Sequence, residues 1–176
     1  MSDKFVVYYE EDIILKNGKI NLDILSEWKA LDKKIVLCSH KTISYIMGML
    51  LAIDMKELYI VAESGAVIQY GVEMPPKKYC TFSCKETENM QMREIKEDLK
   101  SVFSDIWFQD NATGINGFIP KDLGVQILDE KIGEYKSKYL GLNIERRENQ
   151  IIIMPMTISF DEALKYIERD MLENEL

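Results

Sequence analysis

The sequence predicts an α/β fold, a parallel sheet covered by helices and interrupted by an α+β insert, and three observations predict it. Short β-branched and aromatic runs alternate with apolar residues at helical spacing along residues 5–61. The pattern changes after Pro75-Pro76, where it becomes that of an α+β insert. The chain has 176 residues, 47% hydrophobic and 30% charged, which suits a foldable globular protein of one domain, or a core with a small insert.

Phe5-Val6-Val7-Tyr8-Tyr9 is closed by Glu10-Glu11-Asp12, which predicts a buried strand and a polar turn. Asn17-Gly18 predicts a further turn. Asn21 can cap a helix carrying Leu22, Leu25 and Trp28, and Ile35-Val36-Leu37-Cys38 predicts a second strand ended by Ser39. Ile43, Ile46, Met47, Leu50 and Leu51 recur at helical spacing between Thr42 and Met55. Leu58-Tyr59-Ile60-Val61 predicts a third strand, stopped at Ser64-Gly65. This β-α-β-α-β order favours right-handed crossovers and ligands bound beyond the carboxyl ends of the strands, at residues 10–12, 39–41 and 63–65.

In the insert, a strand is expected over 79–83, a helix over 90–103 and a short strand over 106–109, followed by a loop rich in Asn and Gly. A helix over 129–139 then precedes strands over 143–146 and 150–154, and the residues between them suit a hairpin. The insert needs its own sheet. In the final helix Ser159 is the expected N-cap, with Ala163, Leu164, Ile167 and Met171 on one face. The core is expected at 1–74 and 155–176, and the insert at 75–154.

A formal charge of −8 argues against a generic binder of nucleic acid or anionic membrane. No apolar run approaches the roughly 20 residues that span a bilayer, and MSDKFVVYYEED lacks a signal peptide's apolar region, so a cytoplasmic location is expected. Cys38, Cys80 and Cys84 are an odd set without the pattern of a disulfide scaffold, which predicts reduced thiols. With His40 as the single histidine, Cys80 and Cys84 do not complete a four-ligand zinc set.

The series VVYYEEDIILKNGKI, IVLCSH and YIVAESGAVI resembles the haloacid dehalogenase superfamily, in its sugar-phosphatase and phosphoglycolate-phosphatase-like branch with a cap after the third strand. Glu63-Ser64-Gly65-Ala66 is similar to the Glu-Asn-Gly-Ala segment that follows the third strand there, and Trp107 with Ala112-Thr113-Gly114 is similar to a cap segment. The resemblance implies a Rossmann-like parallel core, here incomplete, and an inserted α+β cap. It also implies a nucleophilic aspartate, a second aspartate two residues on for acid-base work, and magnesium to neutralise phosphate charge.

This sequence departs from that set. Placing Glu11 on the second aspartate puts Tyr9 at the nucleophile position, while placing Asp12 there puts Glu10 at it. A phenol does not ligate magnesium as a carboxylate does, and a glutamate is one methylene long for an octahedral site. Phe160 stands where the family has a lysine before the post-cap helix, and the family's final Gly-Asp-x-x-x-Asp element is missing before Leu176. Ser39 keeps the second-strand serine.

The expected function is therefore that of a catalytically degenerate protein kept for binding or assembly. Its rivals are an atypical magnesium-dependent phosphatase using Glu10, Asp12 and Ser39, with Glu10 and Asp12 as metal ligands, and a binder of small phosphorylated metabolites using Ser39, His40, Lys41, Ser64 and Gly65. Ser39 equally suits capping of the next helix. Without the strands that family members place on its far side, Phe5–Tyr9 would form an apolar edge covered by a second copy in a homodimer, or by a partner chain.

Overall fold

The computed structural model describes residues 4–14, 19–120, 125–147 and 149–173. The chain divides into two compact units, Met1–Thr81 with Ser159–Leu176, and Phe82–Ile158. The turn expected at Asn17-Gly18 lies outside the described residues, as does Glu148 in the expected hairpin.

The first unit holds a five-stranded sheet in the order β1-β2-β3-β4-β5. β1 (Phe5–Tyr9) pairs parallel with β2 (Lys34–Cys38), and β2 pairs parallel with β3 (Tyr59–Ala62). The β-branched content of these runs suits a pleated surface buried on both faces, and Val36–Cys38 and Ile60–Ala62 are fully buried. The sheet is not parallel throughout. β4 (Val67–Tyr70) turns back against β3, and β5 (Lys78–Thr81) pairs antiparallel with β4. The strand expected over 79–83 in the insert thus extends the first sheet, because Lys78 and Tyr79 register with Tyr70 and Gln69. β4 was not expected; its four residues follow the Glu63–Gly65 turn with no further punctuation.

After the short helix α1 (Glu10–Ile13), helix α2 (Leu22–Ala30) begins after Asn21 as expected. The Asn21 amide does not cap that helix but donates to the Asp12 carbonyl at 3.1 Å. Trp28 is buried and its ring lies 5.0 Å from that of Tyr8, which anchors α2 to β1. Helix α3 (Ile43–Ala52) buries Ile46 and Leu50 and is capped at Thr42, so Ser39 is not its cap. Helix α6 (Phe160–Glu173) buries Ala163, Ile167 and Met171. The Glu162 backbone N–H donates to the Ser159 hydroxyl at 3.3 Å, the cap the sequence predicts. Asp170 ties α6 down by accepting from the Tyr59 hydroxyl at 2.8 Å and from the Lys78 ammonium.

The second unit is an antiparallel sheet in the order β6-β7-β9-β8 with two helices. Helix α4 (Glu86–Val102) starts four residues before its expected position, because Glu88 accepts from the Lys85 backbone N–H at 2.8 Å and closes a polar first turn. β6 (Trp107–Asp110) pairs with β7 (Ile115–Phe118), a strand hidden in the expected Asn- and Gly-rich loop. Helix α5 (Val125–Lys138) also begins earlier than expected. β8 (Leu142–Arg147) and β9 (Gln150–Pro155) pair as predicted. Met92, Ile95 and Leu99 of α4 meet Leu128 and Ile132 of α5 over Ile144, Ile151 and Ile153, which forms this unit's own core.

All three cysteines are unpaired thiols. Cys38 ends β2, fully buried, and burial pushes its thiol up to about 12. A thiol reagent at pH 8 is expected to label Cys80 and Cys84 in the native protein and Cys38 only after denaturation. Prompt labelling of all three would show that β2 opens.

Candidate functional site

The parallel register aligns Tyr9 with Cys38 and Cys38 with Val61, so β1, β2 and β3 end side by side. The residues that follow form a closely bonded group. The Ser39 N–H donates to the Val61 carbonyl at 2.9 Å, and the Lys41 N–H donates to the Ser39 Oγ at 2.9 Å. Ser39 is buried, and its hydroxyl donates to Glu10 Oε2 at 2.5 Å. The Glu63 N–H reaches the Lys41 carbonyl at 2.9 Å, and the Ser64 N–H reaches the Ser39 carbonyl at 3.1 Å. His40 Nδ1 lies 2.7 Å from the Ser64 Oγ.

The third strand end is strained. Glu63, Ser64 and Gly65 have φ of 53°, 61° and 106°, so two residues with side chains hold the left-handed region in succession. Gly65 admits the start of α6, because a Cβ there would lie 2.3 Å from the Ser159 carbonyl oxygen. Phe160 follows, with its ring centroid 4.9 Å from that of His40 and 5.8 Å from that of Tyr9, the latter edge to face. Burial, then Cys38, then the carboxylates of Asp161, Asp12 and Glu11 hold the Tyr9 phenol above its ordinary range, so it stays protonated and neutral.

The structure places Glu10, Ser39, His40, Lys41, Ser64 and Gly65 beyond the ends of β1, β2 and β3, and all but Gly65 make the local bonds just given or contact Phe160. Asp12 is placed otherwise: its carboxylate accepts from the Tyr9 backbone N–H at 2.8 Å across the first turn of α1. Three features carry no sequence signal of their own. Tyr45 on α3 has its phenol raised by burial and then by Glu10 beside it, although helical spacing gave it no role. The left-handed conformation of Glu63 is not readable from a glutamate, and the contact of Tyr9 with Phe160 needs the folded sheet.

Magnesium needs several hard oxygen donors on one point. Among the described residues no group of three or more His, Cys, Asp and Glu side chains is placed to hold a metal. Glu10 faces Ser39, Asp12 faces its own backbone, Tyr9 is neutral and Phe160 is apolar. The residues present do not fit the ion.

No protein-family model matches the chain, and no curated protein matches it in sequence. In three dimensions it is similar to the C-terminal domain of trehalose-6-phosphate phosphatase from C. albicans, with a TM-score of 0.68 and 11% identity over 92% of this chain and 61% of that one. The chain thus spans about three-fifths of that phosphatase domain. It is similar to the sucrose-phosphatase of Synechocystis sp. PCC6803, with a TM-score of 0.68 and 10% identity over 98% of this chain and 72% of that one. A haloacid dehalogenase-like hydrolase from B. subtilis gives a TM-score of 0.70 and 10% identity over 96% and 79%. The chain has the fold of the haloacid dehalogenase-like phosphatases.

Proposed function

We propose that this haloacid dehalogenase-like fold is catalytically degenerate and serves binding or assembly, with the unit Phe82–Ile158 standing as its cap. One observation supports the reading: Tyr9, one of the two residues that can be placed on the family's nucleophile, meets Phe160, which is placed on its lysine, edge to face at 5.8 Å. A neutral phenol against a phenyl ring supplies neither nucleophile nor charge for a phosphoryl group. Binding of a small phosphorylated metabolite is a weaker reading, because the Glu10 carboxylate already occupies the Ser39 hydroxyl and its charge repels phosphate. Unpaired thiols suit a reducing compartment such as the cytoplasm, and among the described residues no helix is long and apolar enough to cross a membrane.

The purified protein with magnesium and p-nitrophenyl phosphate is expected to release p-nitrophenol at the rate of the protein-free control. Magnesium-dependent turnover that is lost in Glu10→Gln and Asp12→Asn would overturn the reading in favour of an atypical phosphatase. A rise in melting temperature with millimolar phosphoglycolate or sugar phosphate, without turnover, would favour the metabolite binder.

A further inference from the structure

A cleft of about 400 Å³ lies within the second unit, between one face of α4 and the turn that joins β6 to β7. Its volume falls in the range of roughly 300–1,000 Å³ found for clefts that hold small molecules. Asn89, Arg93 and Lys96 recur at helical spacing on the α4 wall, and Asp110, Asn111 and Thr113 form the wall opposite. Met92 and Ile115, which also line the cleft, belong to this unit's core, so the cleft lies on the helix-bearing side of the sheet. The turn is held in place. The Asn111 N–H donates to the Gly114 carbonyl at 2.9 Å, and Asp110 pairs with the Lys96 ammonium at 2.7 Å, which ties the turn to α4. Two polar atoms of this wall have no hydrogen-bond partner: the hydroxyl of Thr113, a residue only 7% exposed, and the buried Oδ1 of Asn111. Unbonded buried polar groups cost stability and are few in folded proteins, so two of them in one turn beside a cleft fit a ligand that brings donors of its own.

The charges of the cleft narrow the ligand further. Lys96 is committed to Asp110, and Glu97 lies 3.6 Å from the Lys100 ammonium, whereas Arg93 is exposed and makes no ion pair among the described residues. A single guanidinium fork matches a carboxylate, while a phosphate dianion would call for a second uncommitted cation. We infer that this cleft binds a free α-amino acid. Its carboxylate meets the Arg93 guanidinium and the Asn89 side-chain amide, and its side chain lies against Met92 and Ile115. Its ammonium, with three donors and no acceptor, donates to Asn111 Oδ1 and the Thr113 hydroxyl. The inference gives the binding part of the proposed function a site and a ligand class. The cleft shares no residue with the strand-end group, so its failure would leave the turnover result unchanged.

Thermal melting of the full chain with each common amino acid in turn at millimolar concentration tests this. At least one is expected to raise the melting temperature by about 2 °C or more, and the matching amine without its carboxylate is expected to leave it unchanged. Arg93→Gln is expected to melt with the parent protein and to lose the response, and Arg93→Lys to keep part of it. Thr113→Val removes the unbonded hydroxyl at nearly constant shape, so it is expected to melt roughly 2–4 °C above the parent while its response to the amino acid weakens. Three outcomes would overturn the inference. They are a panel without any shift, an equal shift from propionate, which marks a bare anion site, and a Thr113→Val variant that melts below the parent, which means that the hydroxyl is bonded within the fold.

Discussion

Replacing Gly65 with alanine is expected to destabilise the first unit by roughly 3–5 kcal/mol, a large share of a domain's roughly 5–15 kcal/mol. The new Cβ would sit 2.3 Å from the Ser159 carbonyl oxygen, 2.4 Å from its carbon and 2.9 Å from the Phe160 nitrogen. All three are backbone atoms, so no side chain can swing aside. Relief requires α6 to move, which would draw Phe160 away from His40 and loosen the cap at Ser159. The φ of 106° adds a conformational penalty for any residue with a Cβ. Gly48 is the control: an added Cβ there meets nothing within 4 Å, and the residue lies inside α3. Gly48→Ala is expected to stabilise by roughly 0.5–1 kcal/mol. Urea unfolding of the two variants beside the parent protein reads both effects, and equal midpoints for all three would contradict the packing at the third strand end.

The three parallel strands were legible because Phe5–Tyr9, Ile35–Cys38 and Leu58–Val61 are dense in residues suited to a surface buried on both faces. Helix α6 was legible for the complementary reason, since Ala163, Ile167 and Met171 recur at helical spacing behind a serine cap. The antiparallel half of the first sheet was not. β4 places Gln69 in the interior, where its amide donates to the Gly71 carbonyl at 2.8 Å, and a buried glutamine interrupts the apolar pattern that marks a strand. β7 was hidden by Asn116 and Gly117, both poor strand formers that pairing with β9 overrides. At the site, the rule that ligands gather at strand ends pointed to Ser39, His40 and Gly65, and the structure places all three beyond the ends of β2 and β3. Which side chain faces which depended on the parallel register, and the division of Glu10 to Ser39 and Tyr9 to Phe160 follows from coordinates alone.

The second large effect concerns that division, and it is a coupling between two substitutions. Tyr9→Asp alone is expected to cost roughly 1–3 kcal/mol, because a carboxylate replaces the ring that meets Phe160 and the aromatic contact is lost. Phe160→Lys alone is expected to cost a similar amount, since an ammonium replaces the ring that packs on His40 and finds a neutral phenol before it. Together the two changes place a carboxylate and an ammonium where the two rings now meet. The double variant should then be more stable than the sum of the single costs by at least about 1 kcal/mol, the coupling typical of groups in direct contact. Phe160 is only partly buried, so water will screen the new pair and the coupling should shrink as salt is added. Urea unfolding of the four proteins at low and high salt measures both quantities. A coupling that is absent at low salt would mean that positions 9 and 160 are not in direct contact, and the packing of Tyr9 on Phe160 would then fail.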